Sequence, residues 1–432
     1  MTTSSAMKGS EEECKLGAQV ANPIIKQQQE LYFSKYQRHL TNAQLKDLVE
    51  RIVILQQLYF QDTEIQCKYD NVEYWESISD GLHVTKSIKS NSALGSNLYV
   101  SKNADIASSI ATINNKGYDV ISFNSPKTEN NSGKAAPNHE QLFTKIQNTI
   151  KNLRKEGFPP SFIFVYDEIW FDIIINLFDV YSILLNDDNV HMESDLNCWS
   201  LQRPAHAPGY SSTSEIATPY IGQSFNQSHR DMKYSNCHDI DTEAFTSLNC
   251  WIPLNPIGAT NRNGCMNVVP VEYDDFFYDY THIYHMQTKK TLQFMDDNNK
   301  ELAKDNIEVI PYHRELVCKA GDVCTWVPSL IHWGGKCQHE CIEPRISIAM
   351  TFRKSGAKQS VYGSIDQENK EENSDATSDE EKEPKPVQRK DIFNLTMSQR
   401  LGYVAKSIIS YAHWYPGLPG LSLQRLQKGS SF

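Results

Sequence analysis

Three residues with metal-binding side chains are spaced so that they can meet at one site. His229 and Asp231 are separated by a single residue, and in an extended strand, where side chains alternate, both point to the same side. A second imidazole, His332, follows far along the chain. Two histidines and one carboxylate on one side of a metal suit Fe(II), because they leave positions open for oxygen and a cosubstrate. The spacing therefore predicts a catalytic iron site.

A basic side chain is placed to serve the same site. The segment 345–352 alternates, and its apolar side chains occupy one face, which leaves Arg345, Ser347 and Thr351 together on the other. Because the segment begins soon after His332, we expect it to be the next strand of the same barrel, with Arg345 facing the metal. An arginine in a strand that is buried on both sides has a specific reason to be there.

The surrounding sequence predicts the β elements that must carry these residues. From about residue 191 onward, short runs separated by Pro, Gly, Asn and Asp are typical of an all-β jelly roll. Within this region the segment 247–254 alternates, with Asn249 and Trp251 on one face and the apolar residues on the other. The class that follows is α+β with a mainly β core.

Helical patterns precede the β region. Apolar residues at helical spacing predict helices after the capping box Thr41–Gln44, over Ile106–Ile113 before Gly117, and over Leu142–Leu153. A longer apolar segment, 162–185, contains four acids, Asp167, Glu168, Asp172 and Asp179. These acids exclude a membrane span and favour a buried helix that packs across a sheet.

The C-terminal part changes composition twice. Residues 356–390 are rich in acids and nearly free of apolar side chains, which predicts a disordered linker. A second capping box, Thr396–Gln399, then opens a helix that we expect to dock on the core. The predicted segments are a disordered N-terminus (1–22), a helical part that packs on the core (23–190), a catalytic β core (191–355), the acidic linker (356–390) and a C-terminal helical segment (391–432).

Composition excludes several classes of protein. The formal net charge of −11, without any Lys/Arg-rich run, argues against a nucleic-acid binder. The N-terminus has no apolar stretch of the secretory type. Ten scattered cysteines without such a signal favour reduced thiols and an intracellular, cytoplasmic location. The expected partner is a small-molecule substrate, with no nucleic acid and no membrane span, and the oligomeric state is left open.

Several motifs occur in an order that resembles one known family. They are His229-Arg230-Asp231, the segments 249–254 and 263–270, Gly321-Asp322 leading to His332, and Arg345-Ile346-Ser347. Together they resemble the phytanoyl-CoA dioxygenase family of Fe(II)- and 2-oxoglutarate-dependent oxygenases, which are built on a double-stranded β-helix, a cupin-like jelly roll. The resemblance extends over about residues 105–353.

The resemblance implies a role for six residues. The family's metal ligands match three residues of this chain: His229, Asp231 and His332. Arg345 matches the residue that pairs with the 5-carboxylate of 2-oxoglutarate, for which a planar guanidinium donates two parallel hydrogen bonds. The resemblance also implies that Ser347 adds a hydroxyl donor to that carboxylate and that Trp251 lines the cosubstrate pocket.

The implied cofactors are Fe(II), 2-oxoglutarate as cosubstrate and O2, with ascorbate as a supporting reductant. The implied reaction is oxidation of an unactivated C–H bond of a small organic substrate, most simply hydroxylation, coupled to decarboxylation of 2-oxoglutarate to succinate.

Alternative interpretations compete with this one. His332, Cys337, His339 and Cys341 have zinc-like ligand types at short spacing, and this site would compete for His332. The same chemistry could instead close a ring or desaturate an amino-acid-derived product, as in the algal kainoid synthases that resemble the family. A non-catalytic jelly-roll binding protein is the rival from another class. A metal cupin that does not use 2-oxoglutarate would leave Arg345 and Ser347 without a role.

Overall fold

The computed structural model describes residues 71–86, 106–122, 139–156, 158–201, 228–257, 263–282, 285, 312–335, 337, 343–357 and 385–410. The predicted disordered N-terminus, the helix after Thr41–Gln44 and most of the acidic linker lie outside these residues, as do His339 and Cys341.

The described part of the chain combines helices with short strands. The helices are α1 (Val72–Ile78), α2 (Ile106–Lys116), α3 (His139–Lys155), α4 (Ile175–Leu185), α5 (Tyr234–Cys237), α6 (Arg389–Ile392) and α7 (Met397–Ser410). The strands are β1 (Tyr118–Ile121), β2 (His191–Met192), β3 (Asn197–Leu201), β4 (Ser247–Pro253), β5 (Met266–Val268), β6 (Arg314–Leu316), β7 (Val323–Trp326), β8 (His332–Gly334), β9 (Arg345–Arg353) and β10 (Val387–Gln388). Two 3-10 helices cover Pro160–Val165 and Val271–Tyr273, and a π-helix covers Ile169–Ile174.

The strands form two antiparallel sheets. The larger has the order β1-β7-β4-β9-β2-β10, with β3 also paired to β9, and the smaller has the order β6-β5-β8. From β4 to β9 the chain crosses repeatedly between the sheets: β4, β7 and β9 lie in the larger sheet, and β5, β6 and β8 lie in the smaller one, as in a double-stranded β-helix. The predicted α+β class with a jelly-roll core is confirmed.

The two faces of the larger sheet differ in the way that the alternation predicted. On the outer face, the ring of Phe352 stacks on Tyr181 of α4 at 4.2 Å between centroids, and Phe178 packs on the same ring edge-on. Asn249 and Trp251 point to the opposite, inner face. The apolar helix α4 therefore covers one side of the sheet and leaves the other for the site.

Gly117 connects α2 to β1 in a conformation that other residues rarely adopt. Its φ is +86°, and an added Cβ would lie 2.6 Å from a Leu330 methyl and 2.8 Å from a Val271 methyl. Its carbonyl accepts from the N–H of Val327 at 2.9 Å. The predicted helix cap is confirmed, and it fixes the edge of the sheet against the loop that leads to His332.

The long apolar segment is not one continuous helix, which corrects the expectation from its sequence. The first 3-10 helix ends at Tyr166, whose backbone is extended, before the π-helix and α4 begin. The two acids that follow bind distant partners: Asp167 pairs with Arg400, and Glu168 contacts Nδ1 of His83 at 2.6 Å. The break therefore lies at Tyr166, and these two acids begin the helix that continues through the π-helix into α4.

Helix α7 begins at the predicted capping box. The N–H of Gln399 donates to the Thr396 hydroxyl at 3.1 Å, and the Gln399 side chain accepts from the Thr396 N–H at 2.9 Å. Farther along, Ser407 donates to Asn197 at 3.0 Å. The helix thus lies against β3 and the first 3-10 helix.

Among the residues that the structure describes, none of the helices has both the length and the apolar character that crossing a bilayer demands. The division of the chain into five segments stays a prediction.

A single acid in the apolar segment gives the fold a testable pH dependence. Burial, with a smaller contribution from Glu168, raises the pKa of Asp172 to about 7. The unfolded carboxyl ionises near pH 4 while the folded one keeps its proton, so stability falls as pH rises from about 4 to 7 and then stays lower. We expect the stability advantage of Asp172→Asn over wild type to grow by about 2 kcal/mol between pH 5 and pH 8 in urea unfolding. Asp179→Asn, at an exposed acid, is the control, and a pH-independent difference for Asp172→Asn would contradict the assignment.

Candidate metal centre

Main-chain pairing brings the two predicted histidines together. His229 and His332 form an isolated antiparallel bridge in which the N–H of each donates to the carbonyl of the other at 3.0 Å. The N–H of Asp231 donates to the carbonyl of Pro328 at 2.9 Å. The segment 228–231 is therefore held at the start of β8, although about a hundred residues separate the two in the sequence.

The three side chains converge on one point. Nε2 of His229 lies 3.4 Å from Oδ1 of Asp231, and Nε2 of His332 lies 3.3 Å from Oδ2. One ligand atom from each residue lies within 4.8 Å of the others. The side chains of Asp231 and His332 are buried, whereas that of His229 is 44% exposed. The cluster therefore has one side open to incoming molecules.

Hydrogen bonding fixes which nitrogen of His332 faces the cluster. Nδ1 lies 2.9 Å from the carbonyl oxygen of Leu330, which can only accept, so Nδ1 carries the proton. Nε2 then presents its lone pair to the site, the arrangement that metal-binding histidines commonly show. The ring of Trp326 packs against the imidazole at 5.0 Å between centroids, which restricts its rotation.

The charge state of Asp231 suits a metal ligand. Burial acts to raise the pKa of this carboxyl, but in the metal-free protein His332 and His229, when protonated, outweigh it through charge and hydrogen bonds and hold the pKa well below its usual range. The carboxyl is ionised, as metal binding requires.

The donor set fits Fe(II) better than the zinc alternative. Two imidazoles and one carboxylate grouped on one side match the two-His-one-carboxylate arrangement of non-haem iron oxygenases. In the described part of the chain, no other group of three His, Cys, Asp or Glu side chains comes close enough to hold a metal. Cys337, from the zinc alternative, instead donates its thiol to the carbonyl of Leu201 at 3.5 Å.

Arg345 is a buried cation for which the described residues supply no acid. Its Nη1 donates to the carbonyls of Cys265 and Gly335, both at 3.1 Å, while its buried Nε has no hydrogen-bond partner among the residues that the structure describes. Burial lowers the pKa of the guanidinium to about 10. A buried charge without a counter-charge is costly, so a site of this kind favours an anionic ligand.

Strand register places Arg345 on the same face as the candidate metal ligands. In the β4–β9 pair, Asn249 lies opposite Thr351, and Asn249 contacts Asp231. Directly opposed residues of antiparallel strands point to one side. Counting back along β9 by twos from Thr351 reaches Ser347 and then Arg345, so both share the inner face.

The other two residues predicted to contact the cosubstrate, Trp251 and Ser347, also lie on this inner face. Trp251 is buried, and the guanidinium carbon of Arg345 lies 5.9 Å from its ring centroid. Ser347 is buried between Trp199 and Pro253 on the neighbouring strands. The structure brings these residues together, and their roles toward 2-oxoglutarate stay predictions.

Arg230 points away from the cluster, as the alternation predicted. Its side chain is fully buried and forms an ion pair with Asp274 at 2.7 Å. Nε donates to the carbonyl of His285 at 2.7 Å, and Nη1 donates to that of Ser329. This arginine therefore fixes the backbone between His229 and Asp231 to two neighbouring loops.

One residue of the site was given no role by the sequence analysis. Nδ2 of Asn249 donates to Oδ2 of Asp231 at 2.6 Å. The signal was present in the alternation of β4, which put Asn249 on the same face as Trp251. Parity alone does not say what lies across the barrel.

Comparison with known proteins finds one family model that matches the part of the chain around the site. The family model described as "Phytanoyl-CoA dioxygenase (PhyH)" matches residues 179–339, which contain all three candidate metal ligands and end shortly before Arg345. No curated protein matches the chain significantly.

Solved structures resemble the chain only at low similarity. AviO1 from Streptomyces viridochromogenes Tue57 is 13% identical, with 60% of this chain and 100% of that chain covered and a TM-score of 0.35. EctD from S. alaskensis with bound Fe is 13% identical, with 61% and 82% covered and a TM-score of 0.33. The epimerase SnoN in complex with Fe3+, alpha ketoglutarate and nogalamycin RO is 11% identical, with 58% and 84% covered and a TM-score of 0.32. Scores this low carry no conclusion about this chain.

The buried pair of Arg230 and Asp274 predicts a large loss of stability on mutation. Arg230→Met removes one partner and leaves a buried carboxylate uncompensated, so we expect the free energy of unfolding to fall by about 3–5 kcal/mol in urea. Replacing both partners, as in Arg230→Met with Asp274→Leu, should recover part of that loss.

The exposed pair of Arg389 and Asp179 is the matched control. Arg389→Met should cost about 1 kcal/mol or less. Equal losses at the buried and the exposed arginine would contradict the structural role assigned to Arg230.

Proposed function

We propose that this chain, whose residues 179–339 match the model of the phytanoyl-CoA dioxygenase (PhyH) family, is a member of that family and hydroxylates a C–H bond of a small organic substrate. The family consists of iron(II)- and 2-oxoglutarate-dependent oxygenases, and the match supports the enzyme class and the cofactors that the motifs predict. The proposal assigns the metal to His229, Asp231 and His332 and the distal carboxylate of 2-oxoglutarate to Arg345.

The observation that carries the assignment is that two incomplete sites lie on the same inner face of the barrel. The three donors lie within reach of a single ion, and the described residues add no fourth His, Cys, Asp or Glu side chain to this cluster. Arg345, on the same face of the barrel, is a buried cation without a described acid. A metal ion would complete the first site, and a dicarboxylate could complete the second while also reaching the metal.

Iron(II), 2-oxoglutarate and O2 would together supply the oxidising power: one oxygen atom of O2 would enter succinate as the cosubstrate loses CO2, and the other would enter the hydroxylated product. The chain's own contribution is to hold the metal, to orient the cosubstrate and to shield the reacting centre from water. Ligands on one side leave the opposite positions open. The fork of Arg345 orients a carboxylate through two parallel hydrogen bonds, with the Ser347 hydroxyl as a further donor. Buried aromatic walls at Trp251 and Trp326 exclude water from the reacting centre.

The ligand set bears on the reaction outcome. Asp231 occupies the position that a halide would need, which favours hydroxylation over halogenation. A catalytic role is also favoured over a non-catalytic jelly-roll protein, because binding of a partner gives no physical reason to keep an ionised Asp231 between two imidazoles beside a buried arginine. A small-molecule substrate and a cytoplasmic location belong to the same proposal.

Turnover should depend on each candidate ligand. Wild type supplied with Fe(II), 2-oxoglutarate, ascorbate and oxygen is expected to release succinate. His229→Ala, Asp231→Ala and His332→Ala should lose bound iron and at least about 100-fold in succinate release, because each removes a donor that no neighbour replaces. Iron content by elemental analysis and succinate by chromatography measure the two effects.

Asp239→Ala is the matched control for Asp231→Ala. Asp239 is an exposed acid in a turn after the same segment, and its loss should change neither quantity. Wild-type protein that binds neither iron nor 2-oxoglutarate would remove the proposal.

The role proposed for Arg345 predicts a kinetic effect that differs from the loss of iron expected in the ligand variants. Arg345→Met should raise the 2-oxoglutarate concentration needed for half-maximal turnover by about 30-fold or more, since it removes the charged partner of a buried carboxylate. Bound iron should stay at the wild-type level.

Arg345→Lys is the matched variant, because it keeps the charge but loses the bidentate geometry. Its requirement for 2-oxoglutarate should lie between those of wild type and Arg345→Met. An unchanged requirement in both variants would remove the role assigned to Arg345.

A further inference from the structure

A partly buried hydrogen-bond chain connects the Asp231 carboxylate to β9. Nδ2 of Asn249 donates to Oδ2 of Asp231 at 2.6 Å, and Oδ1 of Asn249 accepts from the Thr351 hydroxyl at 2.9 Å. An ionised carboxylate only accepts, so the amide nitrogen must face Asp231 and the amide oxygen must face Thr351. The direction of the whole chain is thereby fixed.

The backbone of Asn249 is anchored from the other side of the sheet. Its carbonyl oxygen accepts from the hydroxyl of Thr325 at 2.9 Å and from that of Tyr181 at 3.3 Å. Its main chain also lies between Trp326 on β7 and Thr351 on β9. The amide therefore belongs to a rigid centre of the larger sheet, and it reaches across the barrel to a residue outside that sheet.

We propose that Asn249 is the positioning residue that holds the Asp231 carboxylate ready for the metal, and that Thr351 in turn holds Asn249. The inference rests on the proposed function, since it assumes that Asp231 is a metal ligand. Because Asn249 engages Oδ2, the oxygen left for the metal is Oδ1, which lies on the side of His229.

The chemistry at position 249 requires an amide. An apolar side chain would leave Oδ2 without its short hydrogen bond, and the carboxylate would be free to rotate. An aspartate would set two carboxylates against each other at hydrogen-bond distance, so that one would have to take up a proton. Groups that orient metal ligands in this way commonly affect metal affinity by about 10- to 100-fold when they are removed.

Metal affinity of the unloaded protein tests this role without any need for turnover. Metal-free protein would be titrated with Co(II) alone, in the absence of 2-oxoglutarate, and the visible absorption of bound Co(II) would report both the dissociation constant and the coordination. We expect Asn249→Leu to weaken Co(II) binding by about 10- to 100-fold. Thr351→Val should weaken it by about 10-fold, and Thr351→Ser, which keeps the hydroxyl, should restore binding to near the wild-type value.

Thr325→Val is the matched control. It makes the same atomic change as Thr351→Val and also removes a 2.9 Å hydrogen bond to Asn249, but to its main-chain oxygen on the outer face. Its Co(II) dissociation constant should stay within about twofold of wild type, since no atom that faces Asp231 is altered. Thermal unfolding without metal would confirm that each variant folds.

A double variant separates positioning from general stability. If Thr351 acts only through Asn249, adding Thr351→Val to Asn249→Leu should weaken Co(II) binding no further. Wild-type Co(II) affinity in a folded Asn249→Leu protein would overturn the inference, and so would equal losses in Thr351→Val and Thr325→Val. Failure of wild type to bind Co(II) would instead point to failure of the proposed function itself.

Discussion

Two main-chain hydrogen bonds between His229 and His332 join the segment 228–231 to β8, and the site depends on this pairing. In an antiparallel bridge the paired residues point to one side, so the two imidazoles approach within 4.4 Å between ring centroids. Because side chains alternate along the extended segment, Asp231 points to the same side as His229 and joins the two imidazoles. Each side of this bridge is supported separately, by the ion pair of Arg230 with Asp274 and by the contact of His332 with Leu330. A site assembled from remote segments in this way needs little adjustment when a metal arrives.

Buried arginines elsewhere in the chain show what is unusual about Arg345. Arg230 pairs with Asp274, Arg353 with Glu193, and Arg400 with Asp167. In these three cases the fold supplies a buried acid, which is the ordinary way to place a guanidinium inside a protein. Arg345 is equally buried and is held only by carbonyl oxygens in the described part of the chain. The contrast within one molecule supports the proposal that Arg345 pairs with a bound ligand.

Features that depend on the local sequence pattern were predicted, whereas features that depend on contacts between segments far apart in the sequence were not. The alternation of β4 and β9 was enough to put Trp251, Ser347 and Arg345 on one face, because the two-residue period of a strand is fixed by backbone geometry. The capping box at Thr396 and the cap at Gly117 were likewise local signals.

The break at Tyr166 was missed, because the acids that follow it bind partners far away in the sequence: His83 before the segment and Arg400 after it. The role of Asn249 was missed for the same reason. Its face was predictable, but its contact with Asp231 exists only once the two sheets close against each other.

The most direct test of the account is an anaerobic crystal structure of the protein with iron(II) and 2-oxoglutarate. The account predicts one iron ion bound by His229, Asp231 and His332, with Oδ1 of Asp231 on the metal, and a 2-oxoglutarate carboxylate paired with Arg345. Iron bound at another set of residues, or 2-oxoglutarate bound without contact to Arg345, would contradict it.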